Sequence, residues 1–131
     1  MGIEHIGIAM RKNDNIKYFL DLLPGISYSG SESVLDQKVK THIFQTKDSK
    51  IELLNSIEVN SVIDRFLNKN GNKLHHIALR VDNILNAKKE LKNAGIEFIN
   101  EEPQLGAEKC KIVFIHPKST DGILFELCQH L

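Results

Sequence analysis

The 131-residue chain has little of what marks a secreted, membrane-bound or nucleic-acid-binding protein. Its two cysteines, Cys110 and Cys128, are too few for a disulfide framework and form no closely spaced metal-binding pair, which favours a reduced cytoplasmic setting. There is no basic head followed by an apolar run, and no stretch approaches the roughly 20 apolar residues of a membrane span. Seventeen basic residues balance seventeen acidic ones, so we expect neither nucleic acid nor a membrane as partner.

The chain also lacks tryptophan and has only three prolines, whereas 41% of its residues are hydrophobic and 26% are charged. These proportions are typical of a globular protein and exclude a disordered or fibrous one. At this length we expect a single domain over residues 1–131. No neighbouring residue marks Cys128 as an activated thiolate, so we expect it to be a small core residue.

A five-residue pattern occurs twice in the chain. His5–Ala9 begins with a histidine and alternates like a strand, and His76–Arg80 repeats this 71 residues later. Each histidine is followed by a glutamate in a short apolar run, Glu52 after 47 residues and Glu126 after 50. A histidine strand followed by a glutamate strand, used twice, predicts two like modules that face each other over one metal ion.

Each half of the chain reads as a strand, a helix and three further strands. The elements of the first half are the strand Ile3–Met10, a helix from Asn13 or Asp14 to Leu23, a weak segment Ile26–Ser33, and the strands Val39–Phe44 and Ile51–Leu54. Those of the second half are the strand Leu74–Val81, a helix capped by Asp82 and ended by Gly95, and the strands Ile96–Ile99, Lys111–Ile115 and Ile123–Cys128. The modules occupy about residues 1–56 and 73–131, with a linker helix at about 60–70. This order predicts an α+β fold of two βαβββ modules.

The repeated histidines and glutamates are candidate metal ligands. His5, Glu52, His76 and Glu126 supply imidazole and carboxylate donors that suit one divalent ion such as Mn, Co, Ni, Zn or Fe, among which the ligand types do not choose. Four protein ligands on an octahedral ion leave two positions for a bidentate oxygen substrate, as Lewis-acid catalysis at a carbonyl requires. Alternatively, the histidines are ordinary sheet residues and the glutamates face solvent. Recurrence at matched positions among apolar neighbours favours the metal site.

The other strand histidines have weaker claims to the site. Strict alternation sends His75 to the face opposite His76, where we expect a structural role. His130 lies next to the C-terminal residue and is expected to be solvated. The pattern leaves His42 open between a place near the site and an exposed strand position.

Several segments together resemble the vicinal oxygen chelate superfamily, whose chains pair two βαβββ modules, and within it the methylmalonyl-CoA epimerases. The segments that carry the resemblance are Ile3–Ala9, Lys50–Leu54, Val62–Leu67, Leu74–Ala78, Glu101–Pro103, His116–Lys118 and Gly122–Leu127. The resemblance covers nearly the whole chain. It implies a glyoxalase-like half-barrel of mixed β-sheet with the helices outside, and a homodimer.

The resemblance also implies a metal-dependent epimerase that moves a proton at C2 of a methylmalonyl-CoA-like thioester through a metal-stabilised enediolate. In this interpretation His5, Glu52, His76 and Glu126 hold the metal. Glu126 is the first choice of general base, with Glu52 as the other carboxylate. Lys118 either contacts a phosphate or carboxylate of the substrate or is a solvated loop lysine. Some epimerases have a further carboxylate base on the second strand of the first module, where this chain has Thr41.

Two other functions compete with the epimerase. Glyoxalase I, the lactoylglutathione lyase, shares the ligand set and the pattern His76–Leu79 followed by Val81–Asn83, and its substrate would be a methylglyoxal-thiol hemithioacetal. The segments Glu101–Pro103 and His116–Lys118 favour the epimerase. The third hypothesis is a metal-free small-molecule binding protein, although such members of the superfamily typically lack the four ligands that this chain retains.

Overall fold

The computed structural model describes residues 2–131 and folds them as two βαβββ modules with a helix between. The first module consists of β1 (Gly2–Ala9), α1 (Asp14–Asp21), β2 (Ser27–Val34), β3 (Val39–Gln45) and β4 (Lys50–Ser56). The linker helix is α2 (Val62–Asn70). The second module consists of β5 (Lys73–Arg80), α3 (Ile84–Asn93), β6 (Gln104–Leu105), β7 (Cys110–Ile115) and β8 (Phe125–His130), with 3₁₀ turns at Ala107–Lys109 and Pro117–Ser119. The predicted order of elements is confirmed.

The eight strands form one mixed sheet in the order β2-β3-β4-β1-β5-β8-β7-β6. Strands β1 and β5 pair antiparallel at its centre, β4 and β8 flank them in parallel, and the outer pairs are antiparallel. The sheet curls until its two ends meet. There the Glu108 amide donates to the Glu32 carboxylate over 2.7 Å, and the Gln37 side chain donates to Gln104 over 2.8 Å. The predicted α+β half-barrel is confirmed.

Helices α1 and α3 cover one face of the sheet, and the other face surrounds a cavity. Leu53 of β4 packs with Leu20 of α1, and Leu127 of β8 packs with Ile84 of α3. Successive side chains of a strand point to opposite faces. Glu52 and Glu126, each one residue before these leucines, therefore point into the cavity.

The linker helix α2 is fixed to the first module and borders the cavity. The Ser61 hydroxyl caps it by accepting a hydrogen bond from the Asp64 amide over 3.0 Å. Arg11, just after β1, donates to the Asp64 carboxylate at 2.6 Å. Ile63 and Leu67 pack into the core beside β1 and β4. Neither this helix nor any other within residues 2–131 is long and apolar enough to cross a membrane.

Two predicted features of the second module are wrong. The side chain that caps α3 belongs to Asn83, which accepts from the Asn86 amide over 3.0 Å, and not to Asp82. Residues 96–99 have the alternation of a strand, but Ile96 and Phe98 pack into the core cluster that contains Ile84 of α3, and an isolated bridge joins Phe98 to Ile115. The strand that pairs with β7 on the side away from β8 is β6, a segment for which the sequence pattern predicts no strand.

Each central strand contains an irregularity immediately before its histidine. In the pairing of β1 with β5, Glu4 and His75 have no residue opposite them. An extra residue shifts the alternation by one, so two successive side chains turn to the same face. Glu4 is accordingly 1% exposed and Ile3 49% exposed. Strict alternation would place Ile3 on the face of His5, which the structure does not show, and the prediction that His75 points away from the face of His76 is wrong.

Candidate metal centre

The two repeated histidines meet at the centre of the sheet. His5 lies on β1 and His76 on β5, and their Nε2 atoms are 3.0 Å apart. The rings stand nearly perpendicular, at 86°. The His76 ring lies directly over Gly7, its partner across the strand pair, where an added methyl group would come within 2.6 Å of Nδ1. Close approach of the two rings therefore depends on the missing side chain at Gly7.

Glu126 joins the histidine pair from β8. Its Oε1 lies 3.6 Å from Nε2 of His5, and its Oε2 lies 3.5 Å from Nε2 of His76. The side chain is buried and Oε1 has no hydrogen-bond partner. Burial raises the pKa of Glu126 to about 8. A buried carboxylate oxygen without a partner is rare in proteins and is typical of a cation-binding or proton-transfer group.

Glu52 approaches the same histidine from the other module. Its Oε2 lies 3.3 Å from Nδ1 of His5, and burial raises its pKa. Of the four predicted ligands, His5, His76 and Glu126 therefore meet around the two Nε2 atoms. Glu52 instead contacts Nδ1, the other ring nitrogen of His5. The residues are brought together as predicted, and their role as metal ligands stays a prediction.

The donor set fits a divalent cation. Two nitrogen ligands at about 2.1 Å from one ion and at right angles to each other lie about 3.0 Å apart, which is the separation of the two Nε2 atoms. The unpartnered Oε1 of Glu126 faces the same place. Imidazole and carboxylate donors suit the first-row ions named above. The chain therefore contains a candidate centre that can hold one such ion.

A third carboxylate, Glu4, supports the first histidine. Its Oε1 accepts from Nδ1 of His5 at 2.9 Å, and its Oε2 lies 3.0 Å from Nη2 of Arg80 and 2.8 Å from Nε2 of His130. Lys50 approaches at 3.3 Å and also pairs with Glu108. His130 is exposed, as expected, and its Nε2 also contacts the buried Glu4 carboxylate.

These contacts set the charges of Glu4 and His5. Burial alone would raise the pKa of Glu4, but hydrogen bonds from His5, His130 and Arg80 hold it well below its usual range. Burial alone would lower the pKa of His5, but the Glu4 hydrogen bond and the charges of Glu52 and Glu126 raise it to about 8. A carboxylate that holds Nδ1–H of a histidine leaves Nε2 free for a metal ion. In the sequence Glu4 directly precedes His5. Strand alternation places adjacent side chains on opposite faces, so the pattern gives no reason to expect their contact.

His75 takes the corresponding position in the second module. Its Nδ1 lies 2.9 Å from Nδ1 of His76, and its ring packs edge-on against Phe66 at 4.8 Å. Burial lowers the pKa of His75 to about 4. Burial and the neighbouring His5 and His75 lower the pKa of His76 well below its usual value. The second histidine therefore has the neutral ring of His75 where the first has the charged carboxylate of Glu4.

The centre opens into a cavity of about 350 Å³ between the modules. Its wall is largely apolar and includes Val34, Val39, Leu54, Ile63, Ile112 and Phe114. Thr41, on the third strand of the module and not the second, also lines the wall and is buried. A cavity of this size with a few convergent polar groups is typical of a small-molecule site.

Two further candidates lie elsewhere. Lys118 is on the surface, where its amino group lies 2.7 Å from the Glu97 carboxylate. Its contact with substrate stays a prediction. His42 points away from the cavity, toward Tyr28, whose hydroxyl is 3.3 Å from its Nδ1. The open question about His42 is thereby answered against a place in the site.

Known proteins share this arrangement of strands. The profile of the Glyoxalase/Bleomycin resistance protein/Dioxygenase superfamily matches residues 4–114. The mitochondrial methylmalonyl-CoA epimerase of Dictyostelium discoideum is 35% identical over 129 residues, which cover 95% of this chain and 76% of that protein. The crystal structure of methylmalonyl-CoA epimerase from Mycobacterium tuberculosis superimposes with a TM-score of 0.92 at 29% identity, covering 99% of this chain and 88% of that chain.

A third comparison includes a bound molecule. A methylmalonyl-CoA epimerase from Streptomyces coelicolor, solved in complex with 2-nitronate-propionyl-CoA, superimposes with a TM-score of 0.91 at 28% identity, covering 99% of this chain and 94% of that chain. These structures extend the match beyond residue 114 and through Glu126. By its sequence and by its fold, the chain belongs to the Glyoxalase/Bleomycin resistance protein/Dioxygenase superfamily.

Proposed function

We propose that this protein is an epimerase that inverts C2 of a methylmalonyl-CoA-like thioester. One observation carries the proposal: the Glu126 carboxylate is buried at the base of the cavity, lacks a partner on Oε1, and has a pKa raised to about 8. Such a group is suited to take and return a proton near neutral pH. The similarity to methylmalonyl-CoA epimerases supports this substrate class.

We propose that His5, His76, Glu126 and Glu52 hold one divalent ion beside the substrate. When bound, the ion would supply positive charge where negative charge develops on the thioester carbonyl. Glu4 keeps the His5 ring in place through Nδ1, so that Nε2 faces the centre. The identity of the ion does not follow from the ligand types.

Proton transfer begins at Glu126. A carboxylate oxygen of Glu126 accepts the C2 proton, and the electron pair of the broken C–H bond moves into the adjacent carbonyl system. The apolar wall of the cavity keeps water from the reacting carbon. Return of a proton to the opposite face of C2 gives the other epimer.

The opposite face requires a second proton-transfer group. Glu52 and Glu126 occupy equivalent positions in the two modules, on β4 beside β1 and on β8 beside β5. Two carboxylates related in this way approach the histidine pair from opposite sides. Because Thr41 has a hydroxyl that does not titrate near neutral pH, we assign the second role to Glu52.

A direct assay separates this function from its rivals. The purified protein, supplied with Co²⁺ or Mn²⁺, is tested side by side with methylmalonyl-CoA and with the methylglyoxal-thiol hemithioacetal. We expect epimerisation of the thioester, and in deuterated water we expect deuterium at C2, because the abstracted proton exchanges before it returns. Turnover of the hemithioacetal alone would identify a glyoxalase I. Binding without turnover of either compound would identify a binding protein.

A further inference from the structure

Three soft donors lie together in the second module. One donor atom each from Cys110, Cys128 and His130 lies within 4.8 Å of the other two. Both cysteines are free and buried, and both line the cavity, which gives an ion a route to them. We propose that these three residues form a second metal site that takes a thiophilic divalent ion such as Zn²⁺ or Cd²⁺.

The spacing of the donors matches such an ion. Sγ of Cys110 lies 3.5 Å from Nδ1 of His130. Sulfur and nitrogen ligands at 2.3 Å and about 2.05 Å from a tetrahedral zinc ion lie about 3.6 Å apart. Three protein ligands leave a fourth position, which water from the cavity can fill. Cys110 and His130 therefore need little movement to bind, and the Sγ atom of Cys128 lies within 4.8 Å of both donor atoms.

The orientation of His130 supports the same role. Its Nε2 donates to Oε2 of Glu4 at 2.8 Å, so the lone pair of the neutral ring is on Nδ1, the nitrogen that faces Cys110. Histidine ligands commonly donate their other nitrogen to a carboxylate in this way, which fixes the tautomer and the ring. Glu4 is itself 1% exposed, so this support is rigid.

The first module shows that the fold does not require these donors. In β3 and β4, Val39 is opposite Ser56 and Thr41 is opposite Leu54. In β7 and β8, Cys110 is opposite His130 and Ile112 is opposite Cys128. The three donors thus replace Val39, Leu54 and Ser56 of the first module. Val39 and Leu54 belong to an ordinary apolar core, so apolar side chains suffice for packing at the two cysteine positions.

The site is separate from the histidine centre in its ligands and joined to it through one carboxylate. Glu4 accepts from His5 through Oε1 and from His130 through Oε2. His5 therefore has Nε2 available for the histidine centre, and His130 has Nδ1 available for the cysteine site. The two centres differ in softness, since thiolates select zinc-like ions over the hard ions that oxygen donors prefer.

The test uses a variant in which the histidine centre is disabled. His76→Ala protein is stripped with a chelator, kept reduced with a phosphine and titrated with Cd²⁺ while thiolate-to-metal charge-transfer absorption is followed. We expect this variant to bind one equivalent of Cd²⁺ with that absorption, undisplaced by excess Mg²⁺. Absence of the absorption in a folded His76→Ala protein would overturn the proposal.

Two further variants locate the site. Cys110→Val places the residue of the equivalent first-module position in β7. Combined with His76→Ala it should abolish the absorption, and made alone in the parent protein it should leave binding of Mn²⁺ or Co²⁺ at the histidine centre intact. His130→Ala, at a partly exposed position, should weaken Cd²⁺ binding at least about tenfold even if the cysteine variant does not fold. Unchanged Cd²⁺ binding in either variant would contradict the assignment.

Discussion

The two modules share one backbone and differ in what surrounds their histidines. Both have an unpaired residue just before the histidine, which is Glu4 in the first module and His75 in the second. Glu4 collects His5, His130, Arg80 and Lys50 around one buried charge. His75 contacts only rings on its own side, those of His76 and Phe66. As a result, the pKa of His5 is raised to about 8 and that of His76 is lowered well below its usual value.

The residues across from the histidines differ too. Gly7 is opposite His76, and Ala78 is opposite His5. Gly7 of the first module therefore leaves space for the His76 ring, whereas Ala78 of the second module places a methyl group opposite His5. A repeated fold can thus keep its ligand positions while its supporting residues diverge, so that two similar histidines acquire different pKa values.

The largest effect is expected from removal of one histidine. His76→Ala deletes one of the two nitrogen donors and should abolish stoichiometric binding of Mn²⁺ or Co²⁺ at this centre. His42→Ala, on the outer face of β3, is the matched control and should bind as the parent does. Metal-to-protein ratios after dialysis measure both. An unchanged ratio in the His76 variant would show that the proposed ligands are wrong.

Substitutions of Glu126 and Glu52 compare the roles of the two modules in catalysis. Glu126→Gln keeps an oxygen ligand but removes the proton acceptor, so epimerisation should slow by about 10² to 10⁴ fold with metal partly retained. Glu52→Gln should lower epimerisation and impair exchange from one face of C2 only. Deuterium incorporation from each pure epimer distinguishes the two variants. A Glu126→Gln protein that holds metal and turns over at the parental rate would transfer the base role to another residue.

Neutralising Glu4 should destabilise the protein more than the equivalent change in the second module. Glu4→Gln leaves Lys50 and Arg80 without their buried partner and should cost roughly 2 to 3 kcal/mol of unfolding free energy at pH 7. His75→Gln, the matched control, removes an aromatic contact and should cost about 1 kcal/mol. Urea unfolding measures both.

The contribution of Glu4 to stability also predicts that the free energy of unfolding depends on pH. The pKa of Glu4 in the folded protein lies below its usual value of 4.5, so its stabilisation is fully present above that value and is lost as the pH falls below it. The stabilities of the parent and of Glu4→Gln should therefore converge in acid. A constant difference between pH 7 and pH 3 would contradict this account of Glu4.

The smallest effect is expected at Gly7. A methyl group there would lie 2.6 Å from Nδ1 of His76 and 2.9 Å from Nε2, so the ring must move. Gly7→Ala should weaken metal affinity by about 10 to 100 fold. Ala78→Gly, at the equivalent position, creates no clash and should cost only about 1 kcal/mol of stability. Calorimetric titration of both variants compares them directly, and equal affinities would remove Gly7 from the site.

The sequence by itself determined the repeated βαβββ order and the approach of His5, His76, Glu52 and Glu126. Two periodicities suffice for this, because strand alternation places each glutamate on the face opposite a helix-covered leucine and helical spacing places α1 and α3 over those leucines. Alternation failed at residues 96–99, which form no strand, and where strands β1 and β5 skip a residue. That skip depends on the register between segments 71 residues apart, which no local pattern contains.

Only the tertiary structure decided what surrounds the ligands. Glu4 and His75 are the residues that the pairing of β1 with β5 skips, so their side chains point into the cavity. Alternation would turn both side chains away from it. The pairing of β7 with β8 brings Cys110 to His130, and the curl of the sheet brings His130 to Glu4. These contacts join the two ends of the chain. Local side-chain periodicity carries no information about them, because it is set by neighbours along the chain and not by the residues that folding brings together.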